Sequence, residues 1–94
     1  MQGLKHHILR LGNKSANKEL VGKEVVCTNT SAERNPSRSR LLETGKRYTI
    51  RQISAGNHTA LIRLEGLPET TYSEYARLEV PVCFDAGCFE IEKG

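Results

Sequence analysis

The chain has 94 residues, 14 Lys/Arg against 11 Asp/Glu, 3 Cys and no Trp. That length makes one domain, and a domain of this size buries only about 60–65% of the surface its unfolded chain exposes. The few aromatic residues, Phe84, Phe89, Tyr48, Tyr72 and Tyr75, leave little material for a deep enzyme pocket. No run approaches the roughly 20 apolar residues of a membrane span. The opening "MQGLKHHILRLGNKSA" is too short in its apolar stretch for a signal peptide, so the expected location is cytoplasmic, with no membrane contact. An odd number of cysteines, Cys27, Cys83 and Cys88, fits a reducing compartment.

Charge is unevenly spread. Residues 1–51 carry 11 Lys/Arg against 4 Glu, a net +7, while residues 52–94 carry 3 Lys/Arg against 7 Asp/Glu, a net −4. A polarised chain steers acidic partners or nucleic acid, unless folding mixes the two halves.

In chain order, residues 1–19 read as a leader. Leu4, Ile8 and Leu11 suit a turn or two of helix, although "HILRL" fits a short strand equally well. "GNKSANKE" reads as a polar connector, and the segment is expected to pack loosely or fray. The first clear strand is "GKEVVCTN", 22–29. "TSAERNPSRSR", 30–40, has no apolar periodicity and is expected to be a long exposed loop, the kind of segment that carries function on small scaffolds. Leu41 and Leu42 return the chain to the core, and Gly45 in "ETGK" supplies a positive φ. The following "RYTIRQI" alternates, with Tyr48 and Ile50 inward and Arg47, Thr49 and Arg51 outward.

"SAGNH", 54–58, is a hairpin loop, and "TALIRLE", 59–65, returns with Ala60, Ile62 and Leu64 inward and Arg63 outward. "GLPETTYSEY" is a longer connection. "ARLEVPV", 76–82, alternates again, placing Ala76, Leu78, Val80 and Val82 inward, with Pro81 suited to an edge strand. "DAG" predicts a tight or 3-10 turn, and "CFEIE" a last short strand. Five short strands spaced by turns imply a mostly β fold, a small closed or partly open barrel over residues 20–94 behind the 1–19 leader.

The pattern "VGKEVVCTN … LLETGKRYTI … ALIRLEG … CFEIE" resembles small uncharacterised phage and prophage proteins with a Src-homology-3-like barrel, through Leu42, Gly45, Lys46, Tyr48 and Ile50 and then Phe89 and Glu90. The resemblance spans roughly 20–92 and departs at "GLPETTYSEYARLEVPV". It implies a fold and no activity, so it assigns no site residue.

Constellations for chemistry are sparse. Cys83-x₄-Cys88, with His6, His7 or Cys27, lacks the matched second pair of a zinc site, and free cysteines of small cores serve mainly as buried hydrophobes. His58 falls in a hairpin loop, and Asp85 is better placed to cap the "DAGC" turn than to orient a catalytic histidine. The glycines are isolated and form no phosphate loop. The expectation is therefore no enzyme, no metal and no cofactor. The remaining candidates are a basic set, Arg34, Arg38, Arg40, Arg47, Arg51 and Arg63, and the tyrosines Tyr72 and Tyr75. The basic set suits phosphates or carboxylates but has no aromatic platform among it, which favours a protein partner over nucleic acid.

Overall fold

A computed structural model describes residues 2–31, 33 and 36–91. The leading segment is not loose. A short strand β1 (Gln2–Gly3) runs into helix α1 (Leu4–Leu11), and helix α2 (Asn13–Leu20) follows directly. Leu4 and Ile8 are completely buried, and so is Ala16, with Leu20 nearly so. Each pair is spaced i, i+4 and forms the inward stripe of its helix. Burying a Leu or Ile side chain contributes about 1.5–3 kcal/mol, so this segment belongs to the core and corrects the expected frayed leader. Gly12, at φ 85°, turns the chain between the helices, and its N–H donates to the Ile8 carbonyl at 2.9 Å.

The β elements are β2 (Glu24–Cys27), β3 (Arg47–Ala55), β4 (Ala60–Leu64), β5 (Thr70–Ser73), β6 (Leu78–Pro81), β7 (Phe84–Asp85) and β8 (Phe89–Ile91). A single turn of helix, α3 (Pro36–Ser39), sits between β2 and β3, and a 3-10 turn (Ala86–Cys88) links β7 to β8. Six strands form one antiparallel sheet in the order β1-β8-β2-β3-β4-β7, and β5 and β6 form a separate ribbon. The protein is thus mostly β, with more strands than the five expected.

The connection between β7 and β8 dictates the shape of the sheet. These strands stand four places apart in the sheet order. In a flat sheet that is about 19 Å. The 3-10 turn between them covers only three residues, which rise about 6 Å. The sheet must therefore curl on itself. Its edge strands β1 and β7 do not pair among the described residues, so it is curled and not closed. Inside lie Val25, Cys27, Ile50, Ile62, Phe84 and Phe89, each at most 1% exposed. Tyr48 meets Phe89 edge to face, with centroids 6.0 Å apart and planes at 88°.

The "ETGK" turn behaves as its residues dictate. Gly45 has φ 90°, and its N–H donates to the Cys27 carbonyl at 2.6 Å while Cys27 N–H donates to the Lys46 carbonyl at 2.9 Å. The turn thereby extends the β2–β3 ladder and delivers Tyr48 to the core, where its hydroxyl accepts from Glu43 N–H at 2.9 Å. β3 then carries a bulge between Ile50 and Gln52. Two residues, Arg51 and Gln52, oppose Arg63, and the face parity flips. Ile53 becomes buried although it is an odd number of residues from Ile50. β3 and β4 still form the expected hairpin, with Tyr48, Ile50, Ile62 and Leu64 buried.

Two segments differ from expectation. The alternation over 76–82 sets Ala76, Leu78, Val80 and Val82 on one face, yet Ala76 is exposed and Leu78 is 54% exposed. β6 pairs with β5, which the sequence presents as a connection, and only Val82 returns to the core. Alternation marks two faces but does not say that another layer covers one of them. The 30–40 loop is not wholly exposed either. Glu33 is half-buried, and its carboxylate accepts from Asp85 N–H at 2.9 Å, tying the loop to β7. No helix among the described residues is long and apolar enough to cross a membrane.

Candidate partner-binding surface

Among the described residues, the β5–β6 ribbon and its tip carry the most exposed large apolar groups. Its register pairs Thr70 with Pro81, Thr71 with Val80, Tyr72 with Glu79 and Ser73 with Leu78. Directly opposed residues share a face in an antiparallel pair. One face therefore holds Thr70, Tyr72, Glu79 and Pro81, all exposed. The other holds Thr71, Ser73 and Val80, half-buried, with Leu78 at its outer end. Val82 N–H donates to the Glu69 carbonyl at 2.9 Å and fastens the ribbon's base. The tip, 74–77, is held by Arg77 N–H on the Ser73 carbonyl at 2.7 Å and by Ala76 N–H on the Ser73 hydroxyl at 3.2 Å. Arg77 adopts φ 55°, the left-handed region that costs an L-residue about 1–2 kcal/mol. This turn projects Tyr75 wholly into solvent, at 101% exposure, and Tyr72 stands 55% exposed behind it.

The basic set does not form one strip. Arg34 lies outside the described residues. Arg38 is half-buried on α3, and Arg40 is exposed in the turn that follows. Arg47 opens β3 opposite Val26, and Val26 pairs on its other side with Glu90, so an acid stands in the same cross-strand row. Glu24 occupies the next row, opposite Thr49. Arg51 is bound by Glu69 at 2.5 Å in an exposed ion pair. Arg63, half-buried on β4, shares the outer face with Arg51 through the bulge. Folding mixes the signs of the two halves. Such surface ion pairs contribute about 0–1 kcal/mol to stability, but they remove free positive charge from the face.

Glu69 and Glu33 make contacts that no sequence pattern reveals. Their partners, Arg51 and Asp85, are distant in the chain, and no periodicity couples them. Lys46 lies 5.5 Å from the Tyr48 ring centroid, so that base is anchored over an aromatic of the sheet's own core.

Two of the three thiols, Cys27 and Cys88, are buried and held protonated. Burial, reinforced by the nearby Cys27, Glu33 and Asp85, pushes the Cys88 thiol up to about 11, and burial raises Cys27 as well. Nucleophilic and metal-binding cysteines act as thiolates, which these positions disfavour. Asp85 instead caps the 3-10 turn, accepting from Gly87 N–H at 2.8 Å. His7 Nδ1 is engaged by the Arg10 guanidinium at 3.0 Å, and His58 is exposed in the β3–β4 turn. Among the described residues, no three His, Cys, Asp or Glu side chains gather as a metal-ligand group.

Comparison of the chain with protein-family models, with characterised proteins and with solved structures returns no match.

Proposed function

We propose that the protein is a non-catalytic protein-interaction module, an accessory protein of a phage or mobile element, that engages its partner through the β5–β6 ribbon. The observation that carries this reading is a fully exposed Tyr75 at the tip of a ribbon set apart from the main sheet, with Tyr72 on one face and Leu78 on the other, each more than half exposed. Solvent-exposed tyrosines on a rigid turn are the anchors that interface hot spots use, because they supply large contact area at low entropic cost. The scaffold fits a Src-homology-3-like barrel: the order β8-β2-β3-β4-β7 with a 3-10 turn before the last strand supports it, and the ribbon is an insertion between β4 and β7.

The rival reading is a nucleic-acid binder using Arg34, Arg38, Arg40, Arg47, Arg51 and Arg63. The acids interleaved among these bases weigh against it. Titration with mixed DNA and RNA at low salt separates the two. Phosphate contacts release counterions, so four or five of them give a slope of roughly −4 in log affinity against log salt. The protein-binding reading expects no such slope and no dissociation constant below about 1 μM. Tight, salt-steep binding that vanishes in an Arg38, Arg40 and Arg47 triple alanine variant would reverse the order of the two.

A further inference from the structure

The mixing of charge on the main sheet does not extend to the helices or to the ribbon. Residues 1–23 carry five Lys/Arg against one Glu, a net +4, and residues 65–82 carry one Arg against four Glu, a net −3. On α2 the inward Ala16 and Leu20 leave Lys14, Lys18 and Val21, spaced i, i+4, i+7, on the outward side. Lys14, Lys18 and the following Lys23 are exposed, and none of them has an ion-pair partner among the described residues. Val21 is 41% exposed. Among the described residues, the other exposed large apolar groups are Tyr72, Tyr75 and Leu78, all on the ribbon or its tip. There Glu74 precedes Tyr75 and Glu79 pairs with Tyr72, and both acids are exposed.

The chain thus bears two surfaces of the same design and opposite sign, each an apolar group rimmed by charge, which is the anatomy of a protein interface. They belong to different parts of the fold. α2 packs against α1 and β3, whereas β5 packs against β6 and α3. We infer that the ribbon of one copy docks on the outward face of α2 of a second copy, its acids meeting Lys14, Lys18 and Lys23 and its aromatic tip meeting Val21. Opposite potentials steer such an encounter and fix its orientation. The contact joins two different patches, so copies either close in pairs with both contacts made or add head to tail. The inference rests on the reading of the ribbon as the binding element, and it names a second copy of the chain as the partner the ribbon takes.

The test is sedimentation equilibrium of the full chain over a wide range of protein concentration. Sodium chloride is set at about 0.01 M and at about 1 M, where charges are screened over about 30 Å and about 3 Å. The expected result is a mass that rises above the 10.5 kDa monomer at low salt, with a dissociation constant weaker by about tenfold or more at high salt. Lys14→Glu with Lys18→Glu, and separately Glu74→Lys with Glu79→Lys, should each leave the chain monomeric at low salt. An equimolar mixture of these two variants should associate again, since each supplies the charge that the other needs. A wild type that stays monomeric at low salt, association that salt does not weaken, or a mixture no heavier than its components overturns the proposal. The wild-type salt series decides this even if a variant does not fold. A DNA duplex bound by the wild type and lost in the α2 variant, with no self-association, assigns the face to phosphates and equally overturns it. If the chain stays monomeric while Tyr75 still contacts another protein, only this inference falls and the ribbon reading stands.

Discussion

Asn17 and Ile53 exchange two hydrogen bonds. The Asn17 amide donates to the Ile53 carbonyl at 2.8 Å, and its oxygen accepts from Ile53 N–H at 3.0 Å. One turn earlier, the Asn13 side-chain oxygen accepts from Ala55 N–H at 2.9 Å. Beyond the bulge, β3 pairs with β4 on one edge, and α2 supplies side-chain amides to the other. The helix thus takes the place of a strand and covers an edge that would otherwise be open to another chain. Asn17→Ala should destabilise the fold by about 2–3 kcal/mol, as two backbone groups lose their partner. Asn17→Asp keeps the acceptor and loses the donor, placing a carboxylate against the Ile53 carbonyl, and should cost at least as much. Chemical denaturation measures both; a change under about 0.5 kcal/mol for either would remove this role.

Cys88 makes stability depend on alkaline pH. Its folded-state value of about 11 lies above the ordinary 9.0, so the folded protein holds that proton after the unfolded chain has lost it. The contribution is complete below about pH 9 and is lost as pH rises through about 11, in total on the order of 2 kcal/mol. Cys88→Ala removes the titration at the cost of a small cavity. Denaturation midpoints from pH 7 to 11.5 should therefore show the wild type losing its lead over the variant above pH 9. A constant gap across that range would show that the thiol does not titrate in this way.

Arg77 holds the ribbon tip in a left-handed conformation that glycine adopts freely. Arg77→Gly should leave stability unchanged or raise it by up to about 1 kcal/mol, and Arg77→Val should lower it by about 1 kcal/mol or more. Thermal unfolding of the pair checks the sign. A strongly destabilised glycine variant would mean that the arginine side chain, rather than the backbone, holds the turn.

Much of the sheet was legible because its residues alternate with a period of two. Tyr48, Ile50, Ile62 and Leu64 followed from that period, and Asp85 from the habit of aspartate to bond a backbone N–H two residues on. Failures arose where a non-local contact decides the outcome. α2 reads as polar because its Asn13 and Asn17 side chains are spent on β3, 36 and 42 residues away for Asn17–Ile53 and Asn13–Ala55. β6 reads as core because Leu78 and Val80 alternate correctly, and no pattern reveals that the ribbon has only one partner layer. For the candidate site, the tyrosines were visible as aromatics left over from the core. The pairing of Arg51 with Glu69 is a product of the fold.

The ribbon tyrosines contribute little to the fold and are expected to matter for binding. Tyr72→Ser and Tyr75→Ser should each change stability by less than about 0.5 kcal/mol, since surface positions away from caps and cores seldom do more. Each should weaken partner binding by about 2 kcal/mol or more. Near-equal affinity of both variants for an identified partner would move the interface off the ribbon.

The central claim is that Tyr75 contacts a protein. Its most direct test replaces Tyr75 with a benzophenone-bearing phenylalanine analogue, and in a second chain His58, an exposed position in the β3–β4 turn. Both chains are irradiated in the cells that express the protein. The account predicts a discrete protein adduct from position 75, identified by mass spectrometry, that is absent from position 58 and is competed by unlabelled wild type but not by Tyr72→Ser. Adducts to nucleic acid, or the same adducts from both positions, would contradict it.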